Sequence, residues 1–254
     1  MCNYKHTIFS LFLLEKVVLY WKKGDIMIPV ECKIDNFGLL YLDEEYIFRE
    51  SLHYYDTFDK IKARFYKIDS TNEYVIKYHL SKLNRREIYR MLLNFYSIKG
   101  NKLINIDFPI GYYKERSKIK GLIIPNYPNS ISLRHALINE NLEDFYNHSV
   151  NKKDNIVLLL QDIFKILEDL YNNGIIYTDV NPGNFVLYQN EIKIIDFDPD
   201  YLFYDDNDNY YLKKMLVNYQ TLVNYVCRKY EMNLYDICHF DSNISDVKEY
   251  MKIK

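Results

Sequence analysis

Glycine, proline, cysteine and tryptophan are all scarce in this chain. Its 254 residues include 7 Gly, 6 Pro, 4 Cys and 1 Trp. No glycine lies between Gly38 and Gly100. A loop that presses backbone amides against phosphate needs residues without a Cβ, so that stretch excludes a glycine-rich phosphate loop. Cys2, Cys32, Cys227 and Cys238 have neither metal-ligand nor redox spacing. Reduced thiols in a cytoplasmic protein are the expectation. The 6 His form no HExxH and no paired metal motif, which argues against a structural zinc.

Charge of one sign is missing too. The 33 Lys and Arg against 35 Asp and Glu leave a net −2, which is no footprint for nucleic acid. Arg85-Arg86 and Lys114–Lys120 read as solvated basic faces. No long apolar run exists. Ile8–Trp21 is broken by Glu15 and Lys16 and spans 14 residues, too short to cross a membrane. It lacks a small-residue cleavage site, so it is a poor signal peptide. An amphipathic helix is one reading of it. The favoured reading starts translation at Met27. Lys23-Gly24-Asp25-Ile26-Met27 can be encoded by a purine-rich ribosome-binding sequence just before an ATG, which makes residues 1–26 an over-extended N-terminus.

What is present is a chain able to bury a large core, 48% hydrophobic. Its 27 Tyr share A/T-rich codons with the abundant Asn, Lys and Ile, and read as nucleotide bias rather than as an activity. Residues 28–80 read as strands: PVECKI, GLLYL after the turn Asp35-Asn36-Phe37-Gly38, EYIFRESL, KARFYKI and EYVIKYHL. Asp69-Ser70-Thr71-Asn72 is a turn cluster. In residues 81–97 the period changes. Ile88, Met91, Leu92 and Phe95 share one helix face, with Ser81 or Asn84 as cap. FPIGYYKE and KIKGLIIPNY return to strand. The second half is mainly helical. Ile131–Val150 reads as a helix or helix pair. Asp154–Asn173, stopped by Gly174, and Tyr210–Tyr230 are amphipathic helices. The polar tail after Asn233 has room for one short helix.

Residues 175–198, IIYTDVNPGNFVLYQNEIKIIDFD, hold the chemistry. Asp179 and Asn184 precede an apolar strand, a turn at Gln189-Asn190, a second apolar strand and Asp196. One carboxylate to orient an acceptor hydroxyl, with an amide oxygen and a second carboxylate for a metal, is what phosphoryl transfer from a metal nucleotide requires. Singly, each residue has a plainer role. Asp179 and Asn184 suit turns around Pro182-Gly183, Asp196 suits a cap, Lys77 suits a strand edge, and Glu87 suits a solvated helix face.

Taken in order, these elements resemble the protein kinase-like superfamily from about Glu45 to Tyr230. VIK puts Lys77 at the end of a β-branched run, Glu87 follows on the next helix, and IIPNYPNSISL stands where the family has its hinge. Tyr177-Thr178-Asp179 stands in place of HRD, and Asp196-Phe197-Asp198 in place of DFG. The resemblance implies an α+β, two-lobed fold. Residues 27–127 would form an antiparallel-sheet lobe with one helix plus the hinge, and residues 128–254 a helical lobe bearing the catalytic hairpin. It implies ATP and Mg²⁺ as cofactors. Lys77 would neutralise the α/β-phosphates and Glu87 would hold its ammonium. The backbone near Pro125, Asn126 and Tyr127 would bind the base. Asp179 would act on the hydroxyl, and Asn184 and Asp196 would ligate Mg²⁺.

The departures limit what is implied. HYYDTFDK occupies the place of the glycine-rich loop, Thr178 that of the HRD arginine, Asn181 that of a γ-phosphate lysine and Asp198 that of the DFG glycine. No APE motif follows. This pattern resembles compact small-molecule phosphotransferases more than regulated protein kinases. The expectation is transfer of the γ-phosphoryl group to a hydroxyl of a protein or small molecule, with no membrane span and no nucleic-acid partner. The alternative is a pseudokinase that senses nucleotide or acts as a scaffolding module. For the chain start, N-terminal sequencing of the natively expressed protein should return Met27, and a native terminus at Met1 or Cys2 would overturn that reading.

Overall fold

The computed structural model describes residues 16–23, 26–42, 51–52, 63–68, 71–79, 83–98, 106–139, 142–204 and 209–232. The chain is α+β. It divides into two compact units, residues 1–99 with 108–128, and residues 100–107 with 129–254.

The first unit contains β1 (Lys16–Lys23), β2 (Ile26–Ile34), β3 (Leu40–Leu42), β4 (Ser51–Leu52), β5 (Ala63–Ile68), β6 (Thr71–His79), α1 (Arg85–Ile98), β7 (Gly111–Glu115) and β8 (Lys118–Pro125). Its strands form one sheet in the order β1-β2-β3-β7-β8-β6-β5-β4. The expected hairpin of PVECKI and GLLYL is present, with Lys33 opposite Tyr41 and Ile34 opposite Leu40. Asp35 makes its turn. Its Oδ1 accepts the Phe37 and Leu39 N–H groups at 2.9 and 3.0 Å.

Three expectations need correction or restriction. Residues 16–21 of the proposed amphipathic helix form a strand, and β1 pairs with β2 from Lys16↔Lys33 to Lys23↔Ile26. A chain starting at Met27 would lack β1. The sheet is not wholly antiparallel either, because β3 runs parallel to β7. That close pairing depends on Gly111, where a Cβ would lie 2.3 Å from the Leu40 carbonyl oxygen. Most of EYIFRESL, all of HYYDTFDK, Asp69-Ser70 and the tail after Asn233 lie outside the described residues.

Register decides which side chains share a face. Tyr41 pairs with Tyr112, Tyr112 with Leu122, and Leu122 with Lys77, so these four point to one side. The opposite side holds a core of Leu42, Ile68, Ile76, Tyr113 and Ile123. On α1, Ile88, Met91, Leu92 and Phe95 are buried as their spacing predicts. Asn84 caps the helix by accepting the Arg86 N–H at 3.1 Å.

The second unit contains β9 (Ile131–Ser132), α2 (Leu133–Asn139), α3 (Leu142–Phe145), α4 (Lys152–Asn172), β10 (Ile176–Tyr177), β11 (Phe185–Tyr188), β12 (Glu191–Ile194), β13 (Leu202–Phe203) and α5 (Tyr210–Tyr230). The expected Ile131–Val150 helical stretch is therefore a short strand followed by two short helices. Helix α4 buries Ile156, Leu159, Leu160, Ile163, Ile166, Leu167 and Leu170, and α5 buries Leu212, Met215, Leu216, Tyr219, Leu222, Val223 and Val226, one apolar stripe on each. The Tyr219 hydroxyl of α5 donates to the Leu160 carbonyl of α4 at 2.9 Å. Helix α4 stops with Gly174 N–H on Tyr171 O and Ile175 N–H on Leu170 O, both 2.9 Å. That pair of bonds is a Schellman closure. No helix among the described residues is long and apolar enough to cross a membrane.

Gly121 gives the test of this packing. A Cβ there would sit 2.7 Å from the Lys77 carbonyl oxygen on the paired strand. Gly121→Val should cost about 1–3 kcal/mol of stability, read as a lower urea midpoint. An unchanged midpoint would contradict the close approach of β8 to β6.

Candidate functional site

The hairpin β11–β12 positions the second unit's polar residues. Its turn residues Gln189 and Asn190 have φ of +51° and +63°. Two successive positive φ values suit a right-twisted two-residue hairpin. The tip is fastened from outside. Asn190 Oδ1 accepts the Asn147 N–H at 2.6 Å, and its side-chain N–H returns to Asn147 O at 3.2 Å. The His148 ring meets Asn190 O at 2.7 Å. Tyr146, just before them, is buried and donates its hydroxyl to Asp162 of α4.

At the open end, hairpin pairing continues past Phe185↔Ile194, with Ile195 N–H on Asn184 O at 3.0 Å. This sets Asp196 next to the level of Asn184. Asn184 is buried. Its Nδ2 lies 2.8 Å from Asp179 Oδ2, 2.8 Å from Asp179 O and 2.9 Å from the Tyr177 hydroxyl. Tyr177 in turn donates to the Asp196 carbonyl at 2.9 Å. Asp179, Asn184, Tyr177 and the Asp196 backbone therefore belong to one network.

Asn181 completes the grip on Asp179. Its side-chain N–H lies 3.0 Å from Asp179 Oδ1, and its Oδ1 accepts the Gly183 N–H at 2.9 Å. Both Asp179 carboxylate oxygens thus have an amide donor, one from Asn181 and one from Asn184. Thr178, buried beside them, directs its N–H to Tyr201 O at 2.9 Å. Asn218 of α5 donates to Thr178 O at 2.5 Å. The segment that presents Asp179 is consequently tied to the chain beyond Asp198 and to a core helix.

The electrostatics follow from this geometry. Burial pushes the Tyr177 phenol well above its ordinary range, and the charges of Asp196 and then Asp179 push the same way. The Asn184 amide opposes them, and Asp198 adds a smaller upward push. The phenol stays protonated and keeps its donor role toward Asp196 O. Since Asn184 turns its NH₂ to three oxygens, its Oδ1 is the end left over, with no hydrogen bond among the described residues. An amide oxygen left without a partner among the described residues, on a hairpin that also carries Asp196, suits a hard cation. No group of three or more His, Cys, Asp or Glu placed to hold a metal exists among the described residues. Mg²⁺ needs no such cage, because it is usually bound by one or two protein oxygens with water and substrate phosphate. The residues present fit it.

In the first unit, Lys77 is buried on β6, 7% exposed. Pro125 ends β8 opposite Tyr74, and Tyr127 is buried shortly after it, beyond Asn126. The expected ion pair between Glu87 and Lys77 is absent among the described residues, and Glu87 is exposed. The apolar face of α1 decides this, since Ile88, Met91, Leu92, Phe95 and Ile98 take the buried positions. Glu87 remains in the first turn, where a carboxylate complements the helix dipole. Tyr177, Asn181 and Asn218 were not among the expected site residues. Tyr177 carried a signal, because the sequence resemblance sets it in place of the HRD histidine. Asn218 carried none.

No protein-family model matches the chain, and no curated protein matches it.

Tyr177→Phe tests the network. It removes the donor to Asp196 O and the acceptor of Asn184, and should cost about 1–3 kcal/mol at neutral pH. Linkage adds a signature in alkali. A phenol raised in the folded state contributes fully below its unfolded value and loses that contribution as pH rises past about 10. The wild-type urea midpoint should therefore fall above about pH 10, and fall less steeply in Tyr177→Phe. Parallel pH profiles for the two proteins would contradict the role of Tyr177.

Proposed function

We propose that the chain is an ATP- and Mg²⁺-dependent phosphotransferase with a protein kinase-like fold, acting on a hydroxyl of a protein or small molecule. The observation that carries this reading is the Asp179 carboxylate held by two amides, one of them from Asn184, whose own amide oxygen has no partner among the described residues. On this reading the sheet unit corresponds to the family's small lobe and the helical unit to its large lobe. The acceptor oxygen attacks the γ-phosphorus, the bond from that phosphorus to the β,γ-bridging oxygen breaks, and ADP leaves. The hydroxyl proton passes to Asp179. Mg²⁺ supplies neutralisation of phosphate charge, and Asn184 Oδ1 and the Asp196 carboxylate are the oxygens that would hold it. Lys77 adds positive charge for the α/β-phosphates, and the backbone at Pro125-Asn126-Tyr127 receives the base. Glu87 has no part in the assignment.

A second reading has one observation in its favour. Asn181, where the resemblance leads one to expect a phosphate-binding lysine, spends its amide on Asp179 and Gly183. A nucleotide-binding module without turnover would tolerate that. Transfer of label from γ-labelled ATP into protein and small-molecule fractions of a cell extract separates the readings. Wild type should transfer label, and Asp179→Asn should lose about 100-fold or more while still binding nucleotide. Nucleotide binding without transfer by wild type would favour the module, and full turnover by Asp179→Asn would refute the assigned role.

A further inference from the structure

A cavity of about 360 Å³ opens in the first unit between the turn after β2, strand β3, the N-terminal end of α1 and the β7–β8 hairpin. It includes none of Lys77, Pro125, Asn126 or Tyr127. Its size lies in the range of small-molecule sites. Four aromatic rings shape it. Phe37, 54% exposed, lies 4.8 Å from the Tyr89 ring centroid, and Tyr41 stacks at 5.6 Å on Tyr112.

Two cations stand over those rings. The Arg85 guanidinium lies 5.1 Å from the Tyr89 centroid, and the Lys114 ammonium 4.9 Å from that of Tyr41. Lys114 sits where the β7–β8 register shifts, between Tyr113 and Lys114. A shift of that kind re-aims the neighbouring side chain. Neither cation has a carboxylate partner among the described residues. The lining contains one carboxylate, Asp35, and it is already engaged. Asp35 Oδ1 takes two backbone N–H groups, and its Oδ2 takes the Tyr112 hydroxyl at 2.6 Å. Tyr89 donates to Tyr112, and Arg85 to Tyr89, both at 3.2 Å. The hydrogen-bond chain thus runs inward to Asp35. Arg85 retains donors beyond the one given to Tyr89, and Lys114 retains all of its own.

Spare donors, a surplus of positive charge and flat aromatic walls select a ligand with matching parts. We infer that this cavity is a binding site for a small oxyanion carried on a planar ring, a phosphate or carboxylate whose ring lies against Phe37 and Tyr41 while Arg85 and Lys114 take the anion. Charge-assisted bonds fix the anion, and ring contact supplies the rest.

Calorimetric titration of the full chain with phenyl phosphate tests this, with inorganic phosphate and phenol as separate arms. Phenyl phosphate should bind saturably at one site. Phosphate and phenol should each bind at least about tenfold more weakly, since each keeps one half of the recognition. Arg85→Gln with Lys114→Gln should weaken phenyl phosphate by about tenfold or more. Phe37→Ala should weaken phenyl phosphate but leave inorganic phosphate unchanged. All three substituted side chains lie at the surface or the cavity rim, so the unfolding midpoints should stay close to wild type. Equal binding of phosphate and phenyl phosphate, or binding unaffected by the double substitution, would overturn the inference. The second result would assign any bound probe to a different site.

Discussion

The Asn184 side chain has one NH₂ group and turns it toward three oxygens, from the Asp179 carboxylate, the Asp179 backbone and the Tyr177 hydroxyl. That choice fixes everything else at the site. It sets the rotation of the Asp179 carboxylate, leaves the amide oxygen without a hydrogen bond among the described residues, and makes Tyr177 an acceptor on one side and a donor to Asp196 O on the other. In a buried setting an unmade bond of this kind costs about 1–3 kcal/mol, so the arrangement resists local rearrangement.

The surrounding fold holds that amide in place at several points. The β11–β12 pairing aligns Asn184 with Ile195. Asn147 and His148 fasten the far turn of the same hairpin. Asn218 holds the Thr178 carbonyl from α5, whose apolar face is in turn set against α4 through Tyr219. The peptide that carries Asp179 is therefore fixed by the helical core as well as by its own loop. A carboxylate held in this way would need little free energy for orientation in the proposed phosphoryl transfer.

Much of this was legible in the sequence, for local reasons. In α1, α4 and α5 the apolar residues recur at helical spacing, and the same residues are buried. The hairpin announced itself through two short apolar strands around a turn at Gln189-Asn190. Non-local features were hidden. The parallel β3–β7 pairing joins residues far apart in sequence and depends on Gly111. Strand β9 is too short to show a period. Asn218 looks like any polar residue on an amphipathic helix, yet its partner is Thr178. Glu87 was assigned by order along the chain alone, and the rotation of α1 exposes it. A position next to a buried face does not by itself fix the direction of a side chain.

The central proposal is that the Asn184 amide oxygen and the Asp196 carboxylate hold the metal of a metal nucleotide. Calorimetric titration of ATP into the full chain, with and without Mg²⁺, for wild type and Asn184→Ala, measures this directly. The account predicts that Mg²⁺ strengthens ATP binding to wild type and that most of this gain disappears in Asn184→Ala. An equal Mg²⁺ effect in both proteins, or none in wild type, would contradict it.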